Sequence, residues 1–321
     1  MGRGGEQRMV PRAEPRSYYG EPVLNGPVWK VPDVPAYLFL GGVAAGSSLL
    51  AAGADLTGRA VLGRRTKVAA LAAIGGSAVA LVHDLGRPSR FLNMLRTFKP
   101  TSPMSMGSWI LAAYGPVAGA AAASSVTGLA PGAGRAATAG AAALAPALAT
   151  YTAVLLADTA VPAWHEAHRE LPFVFAGSGA AAASGLAVLL APGEAEPARR
   201  LAAVAWLVEA VAVERMERRL GPLARSYGSG RAGRWMRAGK VLAPVGVTAV
   251  QAGRRRRGVG AAGGLALLAA SLCTRFGVFE AGRASAADPA QTVGPQRARL
   301  PEPDAPATHP GPQVHDRDAP G

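Results

Sequence analysis

Between Ala36 and Glu280 the chain repeats one pattern: a run of apolar and small residues, then a short break carrying arginine, glycine or proline. Several runs reach roughly 18 residues or more, the length at which an α-helix crosses a hydrocarbon core of about 30 Å. Composition points the same way. Of 321 residues, 50% are hydrophobic and 17% charged, with a mean hydropathy of +0.18, whereas a soluble domain carries about 25% charged residues. An ordinary soluble enzyme is excluded, and so is a chain disordered throughout.

The spacing predicts an all-α integral membrane fold with about eight transmembrane helices, at 36–57, 67–84, 104–128, 136–160, 172–192, 198–216, 238–253 and 258–280. The seventh is the shortest in apolar content, from Val241 to Val250, and needs Lys240 to snorkel to the interface. Residues 1–34 lack the apolar core of a signal peptide and read as a flexible arm, and 283–321, rich in Pro, Ala, Asp and Arg, as a disordered tail. An even count puts both ends on one face, called face A. Failure of the seventh helix would put them on opposite faces. Both faces are basic and A leads modestly, so the charge bias leaves orientation open.

Lysine and arginine total 34 against 20 acids, a net charge of +14. The bases sit in short runs between apolar segments, such as Arg64-Arg65 and Arg254 to Arg257. That pattern suits anchoring to membrane lipid headgroups, with no nucleic-acid partner. The one cysteine, Cys273, builds no disulfide or zinc site and holds no iron–sulfur cluster. The five histidines, His83, His165, His168, His309 and His315, form no convincing haem-ligand set. The expectation is a chain with no metal site, haem or cluster of its own.

Ionisable groups within or at the edge of membrane helices usually have partners. His83 and Asp84 close the second helix side by side and form a proton-exchanging pair near neutral pH, or else a solvated cap at headgroup level. Asp55, with Arg59 one turn on, Asp158 at the end of the fourth helix, and Glu209 near the middle of the sixth are further candidates for a proton path. Residues 88–98 read as a short amphipathic helix with Phe91, Leu92, Met94 and Leu95 toward lipid. Gly42 and Gly46 make a GxxxG face for close helix packing or for a notch admitting a ligand tail, and Gly75-Gly76 a similar one.

The segments Tyr37-Leu38-Phe39-Leu40-Gly41-Gly42, His83-Asp84-Leu85-Gly86-Arg87-Pro88 and Phe98-Lys99-Pro100-Thr101-Ser102-Pro103-Met104-Ser105-Met106-Gly107-Ser108-Trp109 resemble the NrfD/polysulfide-reductase membrane-subunit family. Tyr151 to Leu156, Pro162, Trp164 and Arg275 to Gly282 continue the resemblance over about residues 35–290. It implies eight membrane helices in two four-helix bundles, 35–165 with a quinone pocket and 166–282. It implies a plasma-membrane anchor that exchanges electrons between a partner's iron–sulfur clusters and menaquinone or another quinone. The implied partners are a ferredoxin-like four-cluster iron–sulfur subunit and a molybdopterin catalytic subunit. Carried over by position, the quinone site falls on Tyr37, His83, Asp84 and Tyr151, with Arg87 as electrostatic support. Just before Tyr37 the chain reads Asp33-Val34-Pro35-Ala36, departing from the family by lacking a His or Asn. A proton- or ion-coupled transporter using Asp55, Asp158 and Glu209 is the rival reading, and an anchor with a decayed quinone site is a third.

Overall fold

A computed structural model describes Leu24, Pro27 and residues 29–87 and 89–291. The arm expected before Trp29 (apart from Leu24 and Pro27) and the tail beyond Gln291 lie outside the described residues. The described chain is helical throughout: α1 (Asp33–Leu56), α2 (Ala60–Leu85), α3 (Ser89–Met94), α4 (Pro103–Thr127), α5 (Pro131–Ala157), α6 (Pro162–Glu166), α7 (Leu171–Leu190), α8 (Glu196–Leu220), α9 (Arg225–Gly228), α10 (Gly230–Ala252) and α11 (Arg257–Ala287), with a 3-10 turn Gly221–Ala224 after α8. Helix is the answer that lipid demands, because no water is at hand to take up unpaired backbone groups.

Eight of these helices have 20 residues or more. Six are long and apolar enough to cross a membrane: α1, α2, α4, α5, α7 and α11. The chain is a multi-pass membrane protein. The other two, α8 and α10, carry charges at their ends, and α8 also carries Glu209 near its middle. Both extend past the apolar runs, α10 starting at Gly230 where 238 was expected, because a helix need not stop where its lipid-facing part does. Val204, Leu207 and Val211 on α8 and Val241 and Val245 on α10 are exposed, an outward apolar stripe on each.

Starts and stops follow local chemistry. Ser102 accepts from the Ser105 N–H at the head of α4, with Pro103 in the first turn. Gly86 ends α2 with φ of 72°, a left-handed conformation that costs glycine little. The expected amphipathic helix at 88–98 is shorter than its pattern: α3 stops at Met94, and Leu92 and Phe98 are exposed. At the far end α11 runs on through Ala287, into the segment expected to be tail.

The innermost helix is α1, with 78% of its most apolar stretch buried against 28% for α2 and for α4. Small residues let it sit there. A Cβ on Gly42 would lie 3.0 Å from the Gly179 backbone, and one on Gly46 would lie 2.6 Å from Ala183 Cβ. The GxxxG face of α1 therefore meets Gly179 and Ala183, four residues apart on α7. Gly75, by contrast, faces open space. One apolar core, including Tyr37, Trp164, Phe175 and Phe279, fills the face A half, and a second, including Leu50, Leu62, Val188 and Val250, fills the other.

Both described ends lie on face A, where they meet at Trp164 of α6. Trp29 stacks on its indole at 5.5 Å between ring centres, and Phe279 of α11 lies 5.8 Å away. The indole N–H donates to Val278 O at 2.7 Å, and any side chain at Gly282 would run into the ring. The opposite face is tied by polar contacts: Lys67 to Asp55 at 2.8 Å, Arg254 to Glu196 at 2.6 Å, and the Leu62 N–H to Glu194 at 2.8 Å.

Candidate functional site

Just inside face A, α1, α2, α4 and α5 surround a narrow cavity of about 70 Å³ lined by Val34, Tyr37, Leu38, Leu81, Asp84, Gly107, Leu111 and Tyr151. One water needs roughly 10–15 Å³ by this measure, so the space suits a flat ring or a small cluster of waters. Trp29 from the N-terminal segment, Met94 from α3, and Pro103 with Met104 at the head of α4 also line it. The lining is apolar apart from a few groups, as ligand cavities usually are.

Tyr37 and Tyr151 are the main polar groups. They stand 114 residues apart, yet their phenol oxygens are in hydrogen-bond contact, with the rings edge-on and 6.4 Å between centres. Both are buried. Two phenols hold two O–H donors, and their mutual bond uses one. The second is left for a ligand oxygen in the cavity. The Tyr151 ring lies where a side chain on α4 would otherwise be, because a Cβ on Gly107 would come within 2.6 Å of it. Ser77 of α2 donates to Tyr37 O at 3.1 Å and fixes the level of α1 against α2.

The neighbours His83 and Asp84 part company. Consecutive helix residues point about 100° apart, so when Asp84 turns to the cavity His83 faces out. His83 Nδ1 lies 2.7 Å from Asp33 Oδ2, and its side chain is 72% exposed. Asp84 Oδ1 accepts from the Lys30 backbone N–H at 2.9 Å. Of the two readings of these neighbours, the His83–Asp84 pair is replaced by links to Asp33 at the start of α1 and to Lys30 just before it, while the exposed His83 accords with a cap at headgroup level. Asp33 lies within the stretch that lacked the family's His or Asn, and it was missed because nothing in spacing along the chain reveals a partner 50 residues away.

Arg87 is exposed and lies outside the cavity lining, while its neighbour Arg90 donates to Leu85 O at 3.1 Å and closes the end of α2. The three proton-path candidates are not brought together. Asp55 lies at the opposite face and pairs with Lys67, not with Arg59. Asp158 is exposed at the C-terminal end of α5. Glu209 is buried and accepts from Thr274 Oγ1 at 2.8 Å. Cys273 is a buried free thiol. Beyond the membrane segments, Glu170 at the head of α7 is held below the usual carboxylate range, chiefly by hydrogen bonds from Arg219 at 2.8 and 2.5 Å.

Fold and site together define a polytopic helical membrane protein with a narrow, partly open, phenol-lined cavity beneath one face. The family described as polysulphide reductase, NrfD, matches residues 22–212, and the chain belongs to it. Members are membrane subunits of polysulfide and related reductases, and they generally partner with iron–sulfur and molybdopterin subunits. No curated protein matches the chain.

Proposed function

We propose that this chain is the quinone-reactive anchor of a multi-subunit oxidoreductase in the cell membrane, passing electrons between a partner's iron–sulfur clusters and menaquinone or another quinone. All eight long helices then cross the membrane, as two four-helix units. The observation that carries the reading is the Tyr37–Tyr151 pair with one O–H to spare, facing a cavity just inside face A.

A quinone takes up two electrons and two protons at its carbonyl oxygens, so a site for it needs donors that can follow that charge. Tyr37 and Tyr151 supply a phenol donor to one oxygen, and their mutual hydrogen bond lets the second phenol support the first as it gives. Asp84, lining the same cavity, holds or passes a proton. Outside it, the His83–Asp33 contact ties the end of α2 to the start of α1. The apolar walls from Leu38, Leu81 and Leu111 keep bulk water from the ring and strengthen these polar contacts. Arg87 acts only through space at the surface.

The partner docks on face A, close to the cavity, where a ferredoxin-like four-cluster subunit brings its iron within reach and links to a molybdopterin subunit. An ion-coupled transporter would want its carboxylates along one route, and Asp55, Asp158 and Glu209 have no such arrangement. The direct test is quinone-dependent electron transfer in the purified complex. Tyr151→Phe, with assembly intact, should abolish most of it. Unchanged rates would remove the phenol pair from the mechanism.

A further inference from the structure

Arg275 of α11 is wholly buried at the middle of the bundle. One terminal nitrogen, Nη2, donates to Phe175 O at 2.8 Å, and the guanidinium lies 3.9 Å over the Phe175 ring. Its Nε and Nη1 have no acceptor in the described chain. Buried donors of a charged group are tolerated where water or an anion completes them. Next to it on α11, Thr274 donates to Glu209 of α8, itself only 8% exposed. A buried carboxylate needs a cation in contact, water, or a proton. Among the described residues no ion pair to Glu209 is formed: Arg275 acts on it through space, and the one hydrogen bond Arg275 makes goes to Phe175.

A cavity of about 230 Å³ between α8, α10 and α11 reaches this carboxylate, lined among others by Trp206, Glu209, Glu214, Lys240 and Thr274. Lys240 bonds Glu217 at 2.7 Å and Glu214 bonds Arg218 at 2.7 Å, so the charges run toward the ends of α8 and α10 on face A. Two carboxylates, an ammonium and a hydroxyl make a wall that holds water at a depth where lipid would not.

We infer that this cavity is a water-filled inlet from face A, and that Glu209 at its floor binds an exchangeable proton. The step is a simple protonation: the carboxylate takes a proton from a hydronium ion, leaving the neutral acid and one water, with nothing oxidised or reduced. Of the titratable and charged groups, Glu214 from α8 and Lys240 from α10 line the cavity with Glu209, Arg275 from α11 acts on the carboxylate through space, and α7 offers the Ser178 hydroxyl, which interacts with Glu209 and donates to Ser271 at 2.8 Å. This inference does not depend on the quinone reading.

The test is infrared difference spectroscopy of the full-length protein in lipid nanodiscs after quinone has been extracted. A carboxylic-acid carbonyl band that titrates with pH and shifts promptly in D2O is expected, and Glu209→Gln should remove it. Ala243→Phe, which fills the cavity beside α10, should lose the prompt shift. A wild-type protein with no such band, a band that survives Glu209→Gln, or unchanged exchange in Ala243→Phe would overturn the inference. The wild-type and Ala243→Phe spectra decide the matter even if Glu209→Gln does not fold.

Discussion

Gly107 governs the shape of the proposed quinone site more than any charged residue does. The Tyr151 ring occupies the place of its side chain, so Gly107→Leu should push the phenol off Tyr37 and fill the cavity. Quinone reduction should fall by about 10²-fold or more, the scale of losing one positioned proton donor, with an overpacking cost of about 1–3 kcal/mol that thermal unfolding of the detergent-solubilised protein reads. Tyr37→Phe and Tyr151→Phe should each lose activity, and the double variant less than the product of the two, because the phenols act as one unit. Parallel, independent losses would contradict the pairing. Among these residues, Tyr37, Asp84 and Tyr151 were legible through the family resemblance, which fixed their places in motifs; spacing could not pair positions 114 apart. For His83 the exposed cap, one of its two readings, fits the structure and the pairing with Asp84 does not, since adjacency in sequence is divergence on a helix. Asp33 and Gly107 were missed as site residues, one for lying in a stretch judged by what it lacked, the other for having no side chain at all.

Among the elements, the apolar runs marked all eight long helices, while their charged extensions were hidden by the same rule that found the runs. Arg231, Arg234 and Arg237 begin α10 outside its apolar run, and the helix simply continues through them. The GxxxG pattern announced close packing but not its partner, because glycine pairs carry no address. That partner is α7, and two substitutions separate contact from pattern. Gly179→Ala should lower stability by about 1–3 kcal/mol, the scale of overpacking, since its Cβ would lie 2.8 Å from Gly42 Cα. Gly75→Ala faces open space and should be neutral or slightly stabilising. At the rim, the depressed Glu170 stabilises the fold above the carboxylate's unfolded pKa, and that stability is lost as pH falls through its folded value. Arg219→Ala should remove this acid dependence at a cost of at most about 1 kcal/mol, the pair being partly exposed. Acid melts of the two proteins with identical slopes would refute it.

For the molecule as a whole, Trp164 gathers the two described chain ends on face A, as any even number of crossings requires. Cysteines introduced at Arg96 and Gln291 should react with an impermeant thiol reagent from the same side of sealed vesicles, and one at Arg255 from the other, against the low background of buried Cys273. Labelling of Arg96→Cys and Gln291→Cys from opposite sides would break the topology. The all-helical membrane fold was legible from composition and run length alone because lipid leaves so few alternatives. How the two halves share a core through α1 and α7 was not, since it depends on small-residue contacts between distant segments. The account's central claim is that the cavity beneath face A holds a quinone, and extraction of lipid from the purified full-length protein tests it most directly. Wild-type protein should yield quinone in near-equal molar amount and Gly107→Leu almost none; wild-type protein free of quinone, or equal yields from both, would contradict it.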